Sequence, residues 1–218
     1  MATRDSNQLK LPTLGEVDLP LSGEEVERLK HHRPSVLGIK CRRTNCKKDL
    51  HCFDPKRNER VQEVAIDDEN RCIDCGLKLN MKKLHNRDIG NADATIKALE
   101  REWIRHFFWH VGLSDRVLRY ARRVGGKTIR IIIRDRINKR LGTYNPFQRK
   151  QTPMLKGTII DYAWHATAVC CRECMEYWHG IPHDAQLASE EIDYLTDLVM
   201  KYVFIRIPEL SQEQVVKS

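Results

Sequence analysis

The sequence lacks the long apolar stretch that a membrane-spanning helix requires. Such a helix takes about 18 or more consecutive apolar residues. Here the hydrophobic residues, 41% of the chain, are interrupted by charged residues, which make up 31%. The opening residues, MATRDSNQLK, are polar and lack the apolar core of a secretory signal. These absences predict a cytoplasmic protein whose cysteines stay reduced.

Motifs that would identify a reaction are missing as well. The sequence has no P-loop, no HNH-like pattern and no paired carboxylates. His106 and His110 are four residues apart, but without the glutamate of the HExxH motif of metalloproteases. A zinc deaminase needs a glutamate two residues after its histidine, whereas Thr167 stands two residues after His165. The sequence therefore leaves open whether the protein is an enzyme.

Cysteine, in contrast, is plentiful, and seven of the eight cysteines fall into two clusters. One cluster combines CRRTNC with CIDCG in the first half of the chain. The other lies in the stretch HATAVCCRECMEYWHGIP, residues 165–182. Thiolate and imidazole are ligands that Zn²⁺ prefers, and in a reducing compartment such spacing indicates metal binding rather than disulfides.

The first cluster flanks a segment in which apolar residues recur with a period of two. LHCF and RVQEVAI surround the turn DPKRNE and predict a hairpin, and CIDCG closes the segment. Gly76 permits a turn with positive φ, which lets backbone N–H groups point at the thiolates. Cysteine pairs on either side of a hairpin resemble the zinc-ribbon family, most specifically at Cys72, Cys75 and Gly76.

This resemblance implies one tetrahedral Zn²⁺ site in the segment. Either His51 or Cys52, on the neighbouring strand, is an alternative for one ligand. The segment has few apolar residues, so it is expected to need the metal to fold. The predicted ligands are Cys41, Cys46, Cys72 and Cys75.

From residue 93 onward, apolar residues recur at helical spacing. The pattern predicts helices over residues 93–111, 114–124, 127–141 and 189–207, with a strand as the alternative for the isoleucine-rich third one. Residues 157–178 are apolar nearly all round, which predicts a buried central helix.

The predicted fold class is therefore α+β. A small zinc-ribbon β domain over residues 35–88 precedes an all-α domain over residues 93–207, whose central helix is rich in cysteine and histidine. A lead-in with one short helix occupies residues 1–34, and residues 208–218 form a tail.

The second cluster predicts a second metal site on that central helix. Cysteines three and four residues apart share one face of a helix, and His179 at the helix end can fold back towards them. Core packing, a reactive thiol and an iron–sulfur cluster are the alternatives. The predicted ligands are Cys170, Cys171, Cys174 and His179.

The chain from about Lys127 onward resembles an uncharacterised bacterial and phage domain family. The shared motifs are QTPM at residues 151–154, then HATA, CCR with a further cysteine, and WHGIP at residues 178–182. The stretch KGTIIDYAW before His165 departs from the Gly-His-Pro that the family pattern has there. The resemblance implies a domain boundary and names no reaction.

Positive charge is concentrated in one segment of this chain, whose net charge is +8. Residues 117–150 contain eleven Lys and Arg against one acid, whereas residues 183–218 contain seven acids against three bases. Such a basic segment predicts a surface that faces a polyanion, although a solvated helix face is the plain alternative.

The predicted function is a zinc-stapled protein that binds DNA or RNA through this surface. A metal-dependent nuclease or hydrolase acting on nucleic acid is one alternative. A protein adaptor that docks through the acidic C-terminal helix is another. The predicted phosphate contacts are Arg42, Arg43, Lys47, Lys48, Arg119, Arg122, Arg123, Lys127, Arg130, Arg134, Arg149 and Lys150.

Overall fold

The computed structural model describes residues 44–53, 71–79, 89, 92–143 and 158–212. Within these residues the chain forms one 3₁₀ turn, Cys46–Lys48, and eight α-helices. No helix in this part of the chain is both long and apolar enough to cross a membrane. The helices are α1 Ala92–Glu100, α2 Trp103–His110, α3 Asp115–Val124, α4 Gly126–Leu141, α5 Ile159–Ala166, α6 Arg172–His179, α7 Ser189–Arg206 and α8 Glu209–Gln212.

The prediction of a zinc-ribbon β domain is wrong for the part of the chain that the structure describes. Of these residues 67% are helical and 5% are extended, and they form no sheet. Leu50 and Phe53, expected on a hairpin strand, are instead buried in contact with the helical part. The extended residues pair only as isolated bridges, Asn45 with Leu50, Arg71 with Lys78, and His51 with Glu102.

The remaining predictions for the first half fall outside the described residues. They concern the lead-in, the short helix at residues 22–33 and the second hairpin segment at residues 60–66. The all-α part of the prediction agrees with the structure.

Helix α5 lies at the centre of the helical core. It packs against α2, α3 and α7, and seven of its eight residues are buried. Helix α4 packs against α7 through its buried stripe of Ile129, Ile133, Ile137 and Leu141. The helical interpretation of this isoleucine-rich segment is therefore confirmed, and the strand alternative is wrong.

The helix predicted over residues 93–111 is interrupted because its backbone pairs with His51. The His51 N–H donates to the Arg101 carbonyl at 2.7 Å, and the Trp103 N–H donates to the His51 carbonyl at 2.9 Å. Glu102 has extended backbone angles, φ −85° and ψ 123°. The cysteine-containing turns are thus attached to the helical core at the break between α1 and α2.

The predicted central helix is interrupted as well, at Ala168. The Val169 N–H donates to the Trp164 carbonyl at 2.9 Å, and Ala168 adopts a left-handed φ of 59°. This is a Schellman ending, for which glycine is the usual residue; alanine costs about 1 kcal/mol there. The chain leaves α5 before it reaches the cysteines, so the prediction that Cys170 and Cys174 share one helix face is wrong.

Candidate metal centre

Two short turns bring four metal-ligating side chains together. We call Cys46, His51, Cys72 and Cys75 the knuckle site, since their ligand atoms all lie within 4.8 Å of one another. The Sγ atoms of Cys46 and Cys72 are 3.7 Å apart, and Cys75 Sγ is 3.4 Å from His51 Nδ1. A tetrahedral Zn²⁺ with bonds of about 2.3 Å to sulfur and 2.0 Å to nitrogen separates its ligands by about 3.5–3.8 Å. Both measured separations fit that geometry.

Local hydrogen bonds shape the second of these turns. The Cys72 N–H donates to the Leu77 carbonyl at 2.8 Å, and the Gly76 N–H donates to the Cys72 carbonyl at 3.0 Å. Gly76 has φ +72°, with nothing within 4 Å of an added Cβ. The predicted positive φ is therefore confirmed, and glycine is needed here for its backbone freedom rather than for space.

The turns change the ionisation of the thiols that they carry. Burial opposes ionisation of Cys72, but hydrogen bonds from the backbone of Cys75 and neighbouring residues outweigh it and lower its pKa to about 6. For Cys46, burial and then the adjacent sulfurs of Cys75 and Cys72 raise the pKa to about 12. One thiolate forms readily and a second beside it does not, so a cation is needed to hold several thiolates together.

The imidazole of His51 is oriented by a carboxylate. Its Nε2 lies 2.8 Å from Asp49 Oδ1, and its ring is buried. Arg101 donates to both Asp49 oxygens, at 2.9 and 2.7 Å, and this guanidinium, followed by His51, lowers the pKa of Asp49. Metal-binding histidines commonly bond a carboxylate through their second nitrogen in this way. The arrangement leaves Nδ1 directed at Cys75.

The structure therefore assembles three of the four cysteines predicted for the first site, with His51 beside them. Cys41 lies outside the described residues. The side chain of Cys52, the other alternative ligand, is fully buried and is not one of the four clustered ligands. Asp49 and Arg101 were missed because their roles depend on contacts across the fold. In the sequence, the position of Asp49 two residues before His51 is a weak signal that this carboxylate bonds the imidazole, and no such signal exists for Arg101.

A second group of sulfurs lies beside the first. We call Cys170, Cys171 and Cys174 the three-cysteine cluster, whose Sγ atoms all lie within 4.8 Å of one another. Cys171 is the N-cap of α6 and Cys174 lies in its first turn. Cys174 also contacts the small hydrophobic cluster that contains Cys72 and Trp178. The two groups of ligands thus share one packed region.

A buried arginine reaches this cluster from α2. The Arg105 guanidinium donates to Cys170 Sγ at 3.5 Å, to Cys174 Sγ at 3.1 Å and to the His165 carbonyl at 2.6 Å. Its Nε donates to Glu102 Oε2 at 2.9 Å, and both side chains of that ion pair are buried. Hydrogen bonds from Cys171 and Cys174, followed by the charge of Arg105, hold the pKa of Cys170 well below its usual range.

His179 does not join this cluster, contrary to the prediction. Its Nε2 lies 2.9 Å from the Thr167 carbonyl oxygen, and its Nδ1 lies 3.4 Å from the Tyr194 hydroxyl. The turn at Gly180 closes α6 as expected, but the ring points into the core. His165 stacks on Phe108 in the core and hydrogen-bonds Cys170, while His183 pairs with Glu176.

The predicted basic surface is partly neutralised by the acidic helix α7 and by α8. Arg122 pairs with Glu209, Arg130 with Asp197, and Arg134 with Asp193. The pairs of Arg130 and Arg134 form because α4 packs against α7, which the sequence did not reveal.

The remaining nine predicted contacts fall into three groups. Arg119, Arg123 and Lys127 are exposed and have no acidic partner within the described part of the chain. Lys47 and Lys48 are exposed in the 3₁₀ turn. The other four, Arg42, Arg43, Arg149 and Lys150, lie outside the described residues.

Comparison with known proteins concerns mainly the helical core. A family model described as "Domain of unknown function (DUF4186)" matches residues 93–204, which are 112 of the 218 residues. The match starts upstream of Lys127 and includes the three-cysteine cluster, whereas the knuckle site lies entirely before it. No solved structure matches the chain. Because the match covers more than half of the chain, this protein belongs to the DUF4186 domain family.

Proposed function

We propose that this protein is a zinc-stapled nucleic-acid-binding protein, in which a structural Zn²⁺ at the knuckle site holds the cysteine turns against a basic helical domain. The observation that carries the proposal is the spacing of the four ligand atoms, which lie within 4.8 Å of one another on two turns far apart in sequence.

The donor set favours Zn²⁺ in a structural role. Three thiolates and one imidazole form a Cys₃His site, which is typical of closed structural zinc centres. The Asp49 carboxylate and Arg101 complete the outer shell. A closed site of this kind supplies folding free energy rather than a reactive water.

Exposed arginines on one face of α3 support the nucleic-acid half of the proposal. Arg116, Arg119 and Arg123 are spaced three and four residues apart, so they lie on one face of the helix. All three are exposed, as is Lys127 at the start of α4. Because these arginines have no acidic partner among the residues that the structure describes, they are available for phosphate oxygens, to which guanidinium groups bind strongly. We call these four residues the arginine face.

Element analysis of the purified, reduced chain tests the metal half. We expect at least one tightly bound Zn²⁺ per chain, retained through dialysis, since four protein ligands surround the ion. The chain should be prepared without a polyhistidine tag, which would contribute metal of its own. A folded chain that contains no zinc and does not respond to chelators would contradict the proposal.

The salt dependence of binding tests the nucleic-acid half. We expect the full chain to bind duplex DNA or RNA at low salt. The double variant Arg119→Ala/Arg123→Ala should make the plot of log K against log salt less steep, with the magnitude of its slope reduced by about two, because each phosphate contact contributes about 0.9. The measurement is fluorescence anisotropy over a series of salt concentrations.

The matched control is Arg122→Ala/Arg134→Ala, which also removes two exposed arginines. Because these two guanidiniums are paired with Glu209 and Asp193, the slope should change much less. Equal losses of slope in the two double variants would show that net charge, and not the arginine face, governs binding. No binding at low salt would contradict this half of the proposal.

A further inference from the structure

The three-cysteine cluster takes no part in the function proposed above, yet it has the features of a built site. Its three Sγ atoms lie within 4.8 Å of one another. They come from the loop between α5 and α6 and from the first turn of α6. Cys170 is 1% exposed, and Cys171 and Cys174 are partly buried. The left-handed Ala168 ends α5 just before them, so a strained backbone position helps to gather these sulfurs.

Arg105 gives the cluster an environment suited to thiolates rather than to neutral thiols. A buried guanidinium donates to two of the sulfurs, Cys170 and Cys174. A neutral thiol is only a weak acceptor, whereas a thiolate accepts a charge-assisted hydrogen bond from a guanidinium. Glu102 neutralises the charge of Arg105 at a distance of 2.9 Å. The thiolates therefore still need a counter-charge, which a further cation among the sulfurs can supply.

We propose that Cys170, Cys171 and Cys174 bind a second divalent, thiophilic metal ion, Zn²⁺, separate from the ion of the knuckle site. Three thiolates and Zn²⁺ together carry one negative charge, which the N–H groups of Arg105 stabilise. N–H donors of this kind are the usual outer shell of metal-bound thiolates.

The coordination of this second ion differs from that of the first. The described residues offer three sulfurs and no fourth ligand within 4.8 Å of all of them. His179 is engaged by Thr167 and Tyr194, and His165, whose side chain hydrogen-bonds Cys170, does not lie within 4.8 Å of all three sulfurs. A small molecule from solvent therefore completes the coordination, as it does at zinc sites with three protein ligands.

The metal content of two single variants tests the proposal. Cys75→Ser removes a ligand of the knuckle site, and Cys171→Ser removes a ligand of the three-cysteine cluster. Cys171 is the N-cap of α6, a position at which serine is favoured, so this variant should fold at least as well as the parent. Cys52→Ala removes a buried cysteine outside both groups and serves as the control. All are analysed as full-length, reduced protein after addition of Zn²⁺ alone and dialysis.

We expect two ions per chain in the parent and in Cys52→Ala, and one in each of Cys75→Ser and Cys171→Ser. A parent with one ion that Cys171→Ser retains and Cys75→Ser loses would overturn this inference and leave the knuckle site intact. A parent with one ion that only Cys171→Ser loses would support the inference and contradict the knuckle site. Two ions in Cys171→Ser would overturn the assignment of Cys171 as a ligand of the second ion.

Cobalt substitution of Cys75→Ser tests the fourth position. Co²⁺ in the three-cysteine cluster should show thiolate charge-transfer absorption, and its visible spectrum should shift when imidazole is added. A cobalt spectrum that imidazole leaves unchanged would overturn the assignment of a solvent-derived fourth ligand. Loss of the charge-transfer band in Cys75→Ser/Cys171→Ser should confirm which sulfurs bind the ion.

Discussion

Cys72→Ser is expected to lower the affinity of the knuckle site for Zn²⁺ by at least about two orders of magnitude. Structural zinc binding contributes about 10–16 kcal/mol in zinc-finger peptides, so each of four ligands accounts for about 3 kcal/mol, which is roughly a hundredfold in affinity. We choose Cys72 because its side chain is only 3% exposed and backbone N–H groups donate hydrogen bonds to its sulfur. Competition with a chromophoric chelator measures the change.

Two further variants should change the zinc affinity less than Cys72→Ser does. Asp49→Asn keeps the shape of the side chain that orients His51 but removes its charge, and outer-shell changes of this kind typically lower metal affinity about 10–100-fold. Cys52→Ala, which leaves all four ligands in place, should keep the parent affinity. If Cys72→Ser and Cys52→Ala bound Zn²⁺ equally well, the knuckle site would be contradicted.

Arg105→Ala is expected to lower the free energy of unfolding by about 3–5 kcal/mol, because it breaks a buried ion pair by removing one of its two partners. The side chains of this pair are only 2% and 4% exposed, and the variant also removes hydrogen bonds to the His165 carbonyl and to two sulfurs. Urea denaturation of the reduced, zinc-loaded chain measures the loss, and the zinc content of each variant is determined before the comparison.

Arg134→Ala is the matched control for this variant. It removes an arginine paired with Asp193 at a similar distance, 2.8 Å, but at an exposed position. Exposed ion pairs contribute little to stability, so the change should be small. A double variant, Arg105→Met with Glu102→Leu, should recover part of the loss, because no charge is then left buried. An Arg105→Ala chain as stable as Arg134→Ala would show that the buried pair is not part of the folded core.

Periodicity predicted those helices whose packing follows directly from one apolar stripe. The stripe of α4, from Ile129 to Leu141, and that of α7 needed no knowledge of the partner elements. Likewise, Gly76 after a cysteine pair was sufficient to predict a turn with positive φ. In each case the signal is local, and the tertiary structure reinforces it.

The features that sequence reasoning missed arise from contacts between distant residues. The break between α1 and α2 depends on His51, about fifty positions upstream, which pairs with the backbone of Arg101 and Trp103. The sequence has no glycine at Ala168 that would predict the end of α5 there. The pairing of Arg130 and Arg134 with acids of α7 depends on how α4 and α7 pack. Periodicity within a segment carries no information on such contacts.

Residues 101–105 contact both groups of candidate metal ligands. Arg101 holds the carboxylate that orients His51, while Arg105 bonds two sulfurs of the three-cysteine cluster. If a metal ion at one group of ligands orders residues 101–105, a metal ion at the other group binds to residues that are already ordered. The second ion then causes a smaller loss of conformational entropy. Thermodynamic reciprocity then requires that any favourable influence be mutual and of equal size in both directions.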